Sequence, residues 1–448
     1  MAWIGRIVGF LEGEDKDFVV EALAKVLRPE WIQEAVRDSG RESVRVRSLP
    51  ADFMVWFVIL LGLFRRVSYA NLLEKVDETW WTKEHWSPLA PPCTSAVTKA
   101  RDRLGVEPMQ RLFDRSGRAW LEETEGLLFH GRRVYAIDGL TLKTPDSDAN
   151  REYFGLPGAT RGQAAFPQMR ALGLLDVGTR LLPAMRWGPY SAGEVSLARD
   201  LVVDLAADSV VLLDRNFIVF DFLWDVHQRG ADFVVRLKRN NKFQVLEQLG
   251  PGDALVEVTI GWQPRRKRPD LPKTWILRQI EHHPKGAEEP VRLLTTFTDA
   301  SIVTRGDLIG LYPKRWEEEI AIDELKTHQC GCSTVNHPVV FRSRKPERVV
   351  QELYGLLIGY NAVHRLMAEA APAAHVTPSR LSFTAALERT REAIWDMMRL
   401  STRSLPDRYK RLLEVIRRAR LPLRPPRSNP REVRVKMSKY RLKRRNAA

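Results

Sequence analysis

Near residue 130 the spacing of apolar residues changes from a helical pattern to a strand pattern. Up to about residue 125, apolar side chains recur three and four positions apart, in segments separated by Gly40, Pro50 and Pro91-Pro92. From Arg133 onward they form short runs rich in Val, Ile and Leu. The chain is therefore predicted to join a helical N-terminal region to a layer of strands and helices.

The second region is predicted to be a mixed α/β layer. Between residues 133 and 237 the pattern gives three strands, a helix, a strand, a helix and a strand. Ser209–Leu213 shows no polar alternation, which is typical of a central strand buried on both faces. Between Asn240 and Ala300 the pattern is strand-like again, which predicts a small β insertion, and helices follow from about Tyr312 and from Pro346.

Composition favours a globular cytoplasmic protein without a membrane partner. The longest apolar run, Phe53 to Phe64, has 12 residues, whereas a helix needs about 20 to cross a bilayer. The N-terminus shows no pattern of a secretory signal. Three cysteines in 448 residues are too few for a disulfide framework and suit a reducing compartment.

Nearly all of the net charge of +15 lies at the C-terminus. Residues 401–448 contain 17 Lys or Arg against three acidic residues, so the rest of the chain is almost neutral. A basic tail of this kind is typical of an arm that binds nucleic acid. The alternative is a solvated tail that aids solubility.

A short basic helix is predicted from Thr94 to Gly105. A Ser or Thr can cap its start and a glycine ends it. Such a helix in a helical domain fits a DNA-reading helix and fits an ordinary surface helix equally well. Its candidate DNA contacts are Thr98, Lys99, Arg101 and Arg103.

Two acidic residues, Asp138 and Asp214, each follow a short apolar strand and precede a turn-like residue. If the two strands are parallel neighbours, both carboxylates emerge at the same edge of the sheet. Oxygen ligands of this kind favour Mg²⁺ or Mn²⁺ over zinc. The alternative is that each aspartate only caps a turn.

The predicted helix from Leu311 to Lys326 carries a polar stripe. At about 100° per residue, Arg315, Glu319 and Lys326 lie at about 300°, 340° and 320° from Tyr312. On this face Glu319 can hold metal, Arg315 and Lys326 can hold phosphates, and Tyr312 can stack or hydrogen-bond. Glu317 and Glu318 are predicted to point elsewhere. The alternative is an exposed helix with an ordinary Arg–Glu pair.

Two further motifs leave their function open. The run Arg265, Arg266, Lys267 and Arg268 in the predicted insertion can contact a phosphate backbone or form a solvent loop. The cluster from His328 to His337 contains Cys330 and Cys332, but its spacing matches structural zinc sites only weakly. Free thiols are the expected state.

The spacing of Tyr312, Arg315, Glu319 and Lys326 resembles the signature of the insertion-sequence-four family of bacterial DDE transposases. Other blocks agree with this resemblance, which extends over almost the whole chain, including the helical N-terminal region and the basic tail. These blocks are Ile137-Asp138-Gly139, Pro145-Asp146, Phe154-Gly155, Leu212 to Phe217, Phe341-Arg342-Ser343 and Gln351 to Gly355.

The resemblance implies a fold and a division into domains. It implies an α/β protein whose ribonuclease-H-like catalytic domain is interrupted by a β-strand insertion, with an all-helical N-terminal domain and a basic C-terminal tail. The expected boundaries are a helical DNA-binding domain at 1–125, the two parts of the catalytic domain at 126–239 and 304–372, the insertion at 240–303, and a helical, basic region at 373–448.

The resemblance also implies a function. Asp138, Asp214 and Glu319 would be the metal-binding DDE triad, with two Mg²⁺ per active site, for which Mn²⁺ can substitute. The enzyme would bind the terminal inverted repeats of an insertion sequence, cleave the element ends and join them to target DNA, as a homodimer in the paired-end complex. Arg215, directly after Asp214, is a further expected DNA contact. The alternatives are a catalytically silent DNA-binding protein derived from a transposase and a metal-dependent nuclease without strand transfer.

Overall fold

The fold is known from a computed structural model of the chain. It describes residues 23, 25–43, 49–80, 92–159, 162–284, 289–331, 341–397 and 402–422. The predicted basic tail from residue 423 onward lies outside the described residues, as do Cys332 and His337. Within the described part of the chain, no helix has the length and apolar character needed to span a membrane.

Helices dominate both ends of the chain and strands dominate its middle. The helices are α1 Pro29–Asp38, α2 Ala51–Leu63, α3 Tyr69–Trp80, α4 Thr94–Leu104, α5 Glu107–Glu122, α6 Asp148–Phe154, α7 Glu194–Leu201, α8 Phe220–Gln228, α9 Trp262–Lys267, α10 Arg305–Leu311, α11 Trp316–Asp323, α12 Pro346–Ala370, α13 Phe383–Met397 and α14 Leu405–Arg418. The strands are β1 Leu128–Phe129, β2 Arg132–Lys143, β3 Gly158–Ala159, β4 Gly162–Gln163, β5 Gln168–Asp176, β6 Ala184–Pro189, β7 Ser209–Leu213, β8 Asp232–Arg236, β9 Gln244–Gly250, β10 Asp253–Thr259, β11 Thr274–His282 and β12 Val291–Thr295. The helical N-terminal region and the mixed α/β layer are thereby confirmed.

Ten of the described strands form one sheet, in the order β6-β5-β2-β7-β8-β12-β11-β10-β9, with β1 paired to β2. Strand β5 is antiparallel to both β6 and β2, whereas β2, β7 and β8 are parallel to one another. Every residue of β7 is buried, as the apolar run predicted. The predicted strands between residues 240 and 300 extend this sheet, because β12 pairs antiparallel with β8.

Two glycines allow helix α2 to cross helix α12 at very short range. A Cβ atom added at Gly355 would lie 2.4 Å from the carbonyl oxygen of Val58, and one added at Gly62 would lie 2.2 Å from the carbonyl oxygen of Gly355. No side chain fits at either position unless the helices separate. Helices of the N-terminal region and α12 therefore share one hydrophobic core.

A buried ionic cluster fastens the N-terminal helices to α12. The carboxylate of Glu352 accepts a hydrogen bond from Arg65 at 2.8 Å and lies 3.6 Å from Arg101. Burial raises the pKa of Glu352, but Arg65, Arg101 and the hydroxyl of Ser343 outweigh burial and hold this pKa at about 2. The cluster remains ionised because each buried charge has an opposite partner.

The prediction that Arg101 contacts DNA is wrong. Its side chain is 1% exposed and donates hydrogen bonds to Gln351, Tyr69, Ser343 and the carbonyl oxygen of Arg348. These hydrogen bonds hold the guanidinium of Arg101 inside the protein, on the face of α4 that packs against α12, where it cannot contact DNA. The basic character of a helix in the sequence does not reveal which of its cations are turned inward.

Replacing Gly355 by alanine should lower the free energy of unfolding by about 2 kcal/mol, because the new methyl group overpacks the helix crossing. Gly310→Ala is the matched control, since an added Cβ there meets no atom within 4 Å. The control should be neutral or stabilise helix α10 by up to about 1 kcal/mol. Urea unfolding followed by circular dichroism measures both values, and equal stabilities would contradict the described crossing.

The low pKa of Glu352 predicts a specific acid sensitivity. Because this pKa is lower in the folded protein than in the unfolded chain, the carboxylate stabilises the fold above its ordinary pKa, and this contribution is lost as the pH falls toward about 2. The Glu352→Gln variant should be less stable at pH 7 and should lose less of its remaining stability between pH 5 and pH 3. Thermal melts of both proteins across this range test the prediction, which parallel pH curves would contradict.

Candidate active site

Asp138, Asp214 and Arg236 form a row across three neighbouring parallel strands. The last register pairs between these strands are Ile137 with Leu213 and Leu213 with Val235. Each member of the row is the residue that directly follows one of these three paired residues. Adjacent strands lie about 4.8 Å apart. The predicted convergence of the two aspartates at one sheet edge is therefore present, and Arg236 is a third member that the sequence analysis missed.

The two aspartates are held by nearby backbone groups. Asp138 accepts a hydrogen bond from the N–H of Gly139 at 2.8 Å, and Asp214 accepts one from the N–H of Asn216 at 2.7 Å. Asp138 was predicted to end its strand, but β2 continues to Lys143 because β5 pairs with it over this whole stretch. Only the pairing with β7 stops before Asp138, and this leaves one side of the strand open to the segment that carries Glu319.

The segment Tyr312 to Gln329 is not one uniform α-helix. It starts as a 3₁₀ turn at Tyr312–Arg315, continues as α11 and ends as a π-helix at Glu324–Gln329. The hydroxyl of Tyr312 donates a hydrogen bond to the carbonyl oxygen of Leu213 at 3.2 Å. Tyr312 thereby ties the start of the segment to the end of the strand that precedes Asp214.

Arg315 lies between two of the candidate carboxylates. Its guanidinium donates to Oε1 of Glu319 at 2.8 Å and lies 3.9 Å from Oδ2 of Asp138. Burial raises the pKa of Asp138, while Gly139 and Arg315 lower it and Asp214 and Glu319 raise it by repulsion; the net shift is upward. The predicted triad is therefore coupled electrostatically, and Arg315 balances part of its negative charge.

Glu318 also belongs to this site, and the prediction that it points elsewhere is wrong. Its side chain is 1% exposed, and its carboxyl group accepts a hydrogen bond from the backbone of Asp138. Burial, followed by repulsion from Asp138, raises its pKa well above the usual value. The helical arithmetic placed Glu318 off the polar stripe, but it could not show that this side of α11 packs against β2.

A buried ionic network anchors the back of the same segment. Arg180 donates to Glu317 and Glu324, each at 2.7 Å, and Glu324 also contacts His364 of α12 at 3.1 Å. Arg180 adopts a positive φ of 60°, which is costly for a side chain of this size. The network fixes the direction of the π-helical turn, in which Lys326 lies partly exposed.

The donor atoms of the site are of the kind that hard divalent cations prefer. Asp138, Asp214, Glu318 and Glu319 offer only carboxylate oxygens, and Oε2 of Glu318 is buried without a hydrogen-bond partner. Among the described residues, however, no three Asp, Glu, His or Cys side chains are grouped closely enough to hold a metal ion. A cationic group, Arg315, lies between Asp138 and Glu319 instead.

The predicted basic loop lies at the far edge of the sheet. Strand β8 ends at the acidic edge, and β12, β11 and β10 alternate in direction, so Thr259 at the end of β10 and the following helix α9 lie at the opposite edge. Arg265 donates to the carbonyl oxygen of Ile260, and Arg268 pairs with Asp225 at 2.7 Å and Asp270 at 2.6 Å. Arg266 stacks over Trp262. Because helix α9 lies at the opposite edge of the sheet, its basic residues are not part of the acidic site.

Other candidate DNA contacts lie on exposed turns of helices. Lys99 and Arg103 are exposed on α4, whereas Thr98 is half-buried and its hydroxyl donates to the carbonyl oxygen of Thr94. Arg215 is exposed in the 3₁₀ turn that follows Asp214. Arg215 thus directly follows a member of the acidic row, whereas α4 packs against α2 and α12.

Two protein-family models match the chain. The Insertion element 4 transposase N-terminal model matches residues 18–114, and the Transposase DDE domain model matches residues 129–362. The second match begins just before β2 and ends within α12. It therefore includes every residue of the acidic site.

Two bacterial relatives and one solved structure are similar to the chain. Transposase InsG for insertion sequence element IS4, from Escherichia coli (strain K12), is 28% identical over 424 residues, which cover 94% of this chain and 93% of the relative. Putative transposase InsZ from the same organism is 30% identical over 218 residues, which cover 47% of this chain and 69% of the relative. A piggyBac transposase synaptic complex with hairpin DNA has a TM-score of 0.45 and 13% identity, with 88% of this chain and 85% of that chain covered.

Proposed function

The chain belongs to the insertion-sequence-four family of DDE transposases, enzymes that cleave DNA and transfer strands, and on that premise we propose what its acidic site does. It binds the terminal inverted repeats of an insertion sequence, cleaves the element ends and joins them to target DNA. One observation carries the proposal above all others. Asp138 and Asp214 lie in register on adjacent parallel strands, and Arg315 links Asp138 to Glu319.

The proposed catalytic domain is ribonuclease-H-like. The antiparallel strands β6, β5 and β2, followed by the parallel strands β7 and β8, support this assignment. Strands β9 to β12 would then be an insertion between Asp214 and Glu319. The proposed limits remain 126–239 and 304–372 for the catalytic domain, 240–303 for the insertion, 1–125 for the helical N-terminal domain and 373–448 for the C-terminal region.

Asp138, Asp214 and Glu319 are the proposed ligands of two Mg²⁺ ions, for which Mn²⁺ can substitute. When bound, such a pair would activate the attacking oxygen and stabilise the leaving oxygen of an in-line displacement at phosphorus. The carboxylate oxygens support a demand for cations at this edge of the sheet, and so does the raised pKa of Asp138, which burial causes first and repulsion from Asp214 and Glu319 second. To free Glu319 for a metal, Arg315 would exchange its carboxylate partners for a DNA phosphate.

The remaining residues of the site would hold DNA. Arg215, Arg236, Arg315 and Lys326 can bind backbone phosphates along the acidic edge, and Tyr312 would keep this segment on the end of β7. Thr98, Lys99 and Arg103 of α4 are proposed as further phosphate contacts away from the site. The basic residues Arg266 and Lys267 are proposed in the same role. Arg265 and Arg268 have protein partners and serve mainly to shape the loop.

The proposed partner is DNA, and the proposed assembly is a homodimer across two paired element ends. A site of action on the bacterial nucleoid is part of the same proposal. The net charge of +15 supports binding to a polyanion.

Replacing Glu319 by glutamine should abolish Mg²⁺-dependent cleavage of a labelled element end while leaving binding of that end intact. Gln keeps the size of the side chain and removes the charge that holds the cation. Asp323→Asn is the matched control, because Asp323 is an exposed acid one turn further along the same helix. The control should cleave at a rate close to that of the unmodified protein, and retained cleavage by Glu319→Gln would remove Glu319 from the metal site.

The same labelled ends separate the proposed function from its alternatives. Binding without nicking would identify a silent DNA-binding protein, whereas nicking without joining to a target duplex would identify a nuclease without strand transfer. Binding, nicking and joining together are the expected result.

Replacing Arg236 by glutamine should weaken binding of an element end. It should also make the plot of the logarithm of the association constant against the logarithm of the salt concentration less steep by about 0.9, the value for one lost phosphate contact. Arg268→Gln is the matched control, since Arg268 is paired with Asp225 and Asp270 at the opposite sheet edge. Its salt slope should be unchanged. Titrations from 50 to 300 mM salt provide the measurement, and equal slopes for both variants would exclude Arg236 from the DNA path.

A further inference from the structure

Glu318 occupies a position on α11 that normally carries an apolar side chain. Glu318, Ala321 and Leu325 are all buried, at the spacing of three and four residues that defines the core-facing stripe of a helix. Two of these residues are apolar, as packing requires. The third is an acid that is 1% exposed.

The carboxyl group of Glu318 is only half satisfied. The backbone N–H of Asp138 donates to it, but its Oε2 has no hydrogen-bond partner. Two other buried acids of the core differ in this respect, because Glu352 is paired with Arg65 and Glu324 with Arg180 and His364. A buried oxygen without a partner is costly, so a group that donated a hydrogen bond to it during function would remove this cost.

Electrostatics identify the chemistry of that partner. The charged groups that act on Glu318 are, in order, Asp138, Arg315 and Asp214, which are members of the candidate site. Two of the three are acidic, and the cation among them is already hydrogen-bonded to Glu319. A hydrated divalent cation beside Asp138 would supply both positive charge and the O–H donor that Oε2 lacks.

We propose that Glu318 is a positioning residue of the metal site, whose unpartnered Oε2 accepts a hydrogen bond from water bound to the cation held by Asp138. Its other carboxyl oxygen holds the backbone of Asp138, so that one side chain orients a metal ligand and a metal-bound water together. This inference rests on the proposed function, since it requires that Asp138 bind a divalent cation.

Mn²⁺ binding to the full-length protein without DNA tests the inference. In Glu318→Gln, the amide oxygen can still accept the N–H of Asp138, while Oε2 is replaced by an N–H donor. The Mn²⁺ dissociation constant of this variant should rise at least tenfold, the usual effect of losing a group that orients a metal ligand. Titration of the free-Mn²⁺ electron paramagnetic resonance signal gives the constant.

Glu352→Gln is the matched control, because Glu352 is a buried acid that faces Arg65 and Arg101 and has no part in the acidic site or in the anchoring of its helical segment. It should lower the melting temperature and leave the Mn²⁺ constant within twofold of the unmodified value. If Glu318→Gln does not fold, Glu318→Asp takes its place, since the shorter side chain withdraws the carboxyl from Asp138. Folding of each variant is checked by its melting curve.

The outcomes separate this inference from the proposed function. The Asp138→Asn variant should lose tight Mn²⁺ binding. If it does, and the Glu318→Gln variant still binds Mn²⁺ as tightly as the unmodified protein, Glu318 has only a structural role and the inference is overturned. If the unmodified protein binds no Mn²⁺, or Asp138→Asn binds it normally, the metal site itself is wrong and the proposed function fails with it.

Discussion

The burial of acidic side chains at one edge of the sheet is the constraint on which the candidate site depends. Asp138, Asp214, Glu318 and Glu319 converge there, and Arg315 is the cation that the described structure places between two of them. Buried acidic groups that face one another are unfavourable as anions unless cations compensate them. The same imbalance that would destabilise an ordinary surface makes this edge a place where divalent ions and phosphates can be brought together.

Such a site requires that its two halves stay in fixed relation, since one half comes from the sheet and the other from a separate segment. Tyr312 joins the segment to the end of β7, and Arg180 joins its far end to the loop after β5. Both contacts lie outside the row of carboxylates. They allow Arg315 and Glu319 to face the aspartates without contributing further charge to the site itself.

The parts of the site that depend on local pattern could be predicted from the sequence. Two apolar runs that are each followed by an aspartate predicted a shared site only on the condition that the strands are neighbours, and the structure pairs them in parallel register. The position of Arg236 was readable in principle, because Phe233-Val234-Val235 ends in Arg236 just as Val211-Leu212-Leu213 ends in Asp214. What was missing was the register between strands, which depends on long-range pairing. The burial of Glu318 could not be predicted, because it depends on which side of α11 packs against β2, a long-range contact.

The glycine-mediated crossing of α2 and α12 has a consequence for how the polypeptide can be divided. The helices before residue 125 and the long helix that follows the acidic segment bury their apolar side chains in a common interior. A fragment that ended near residue 125 would expose to water the surface that now covers α12, and a fragment that began there would expose the complementary surface. The transposase is therefore better regarded as a single cooperative folding unit than as two domains that can fold separately.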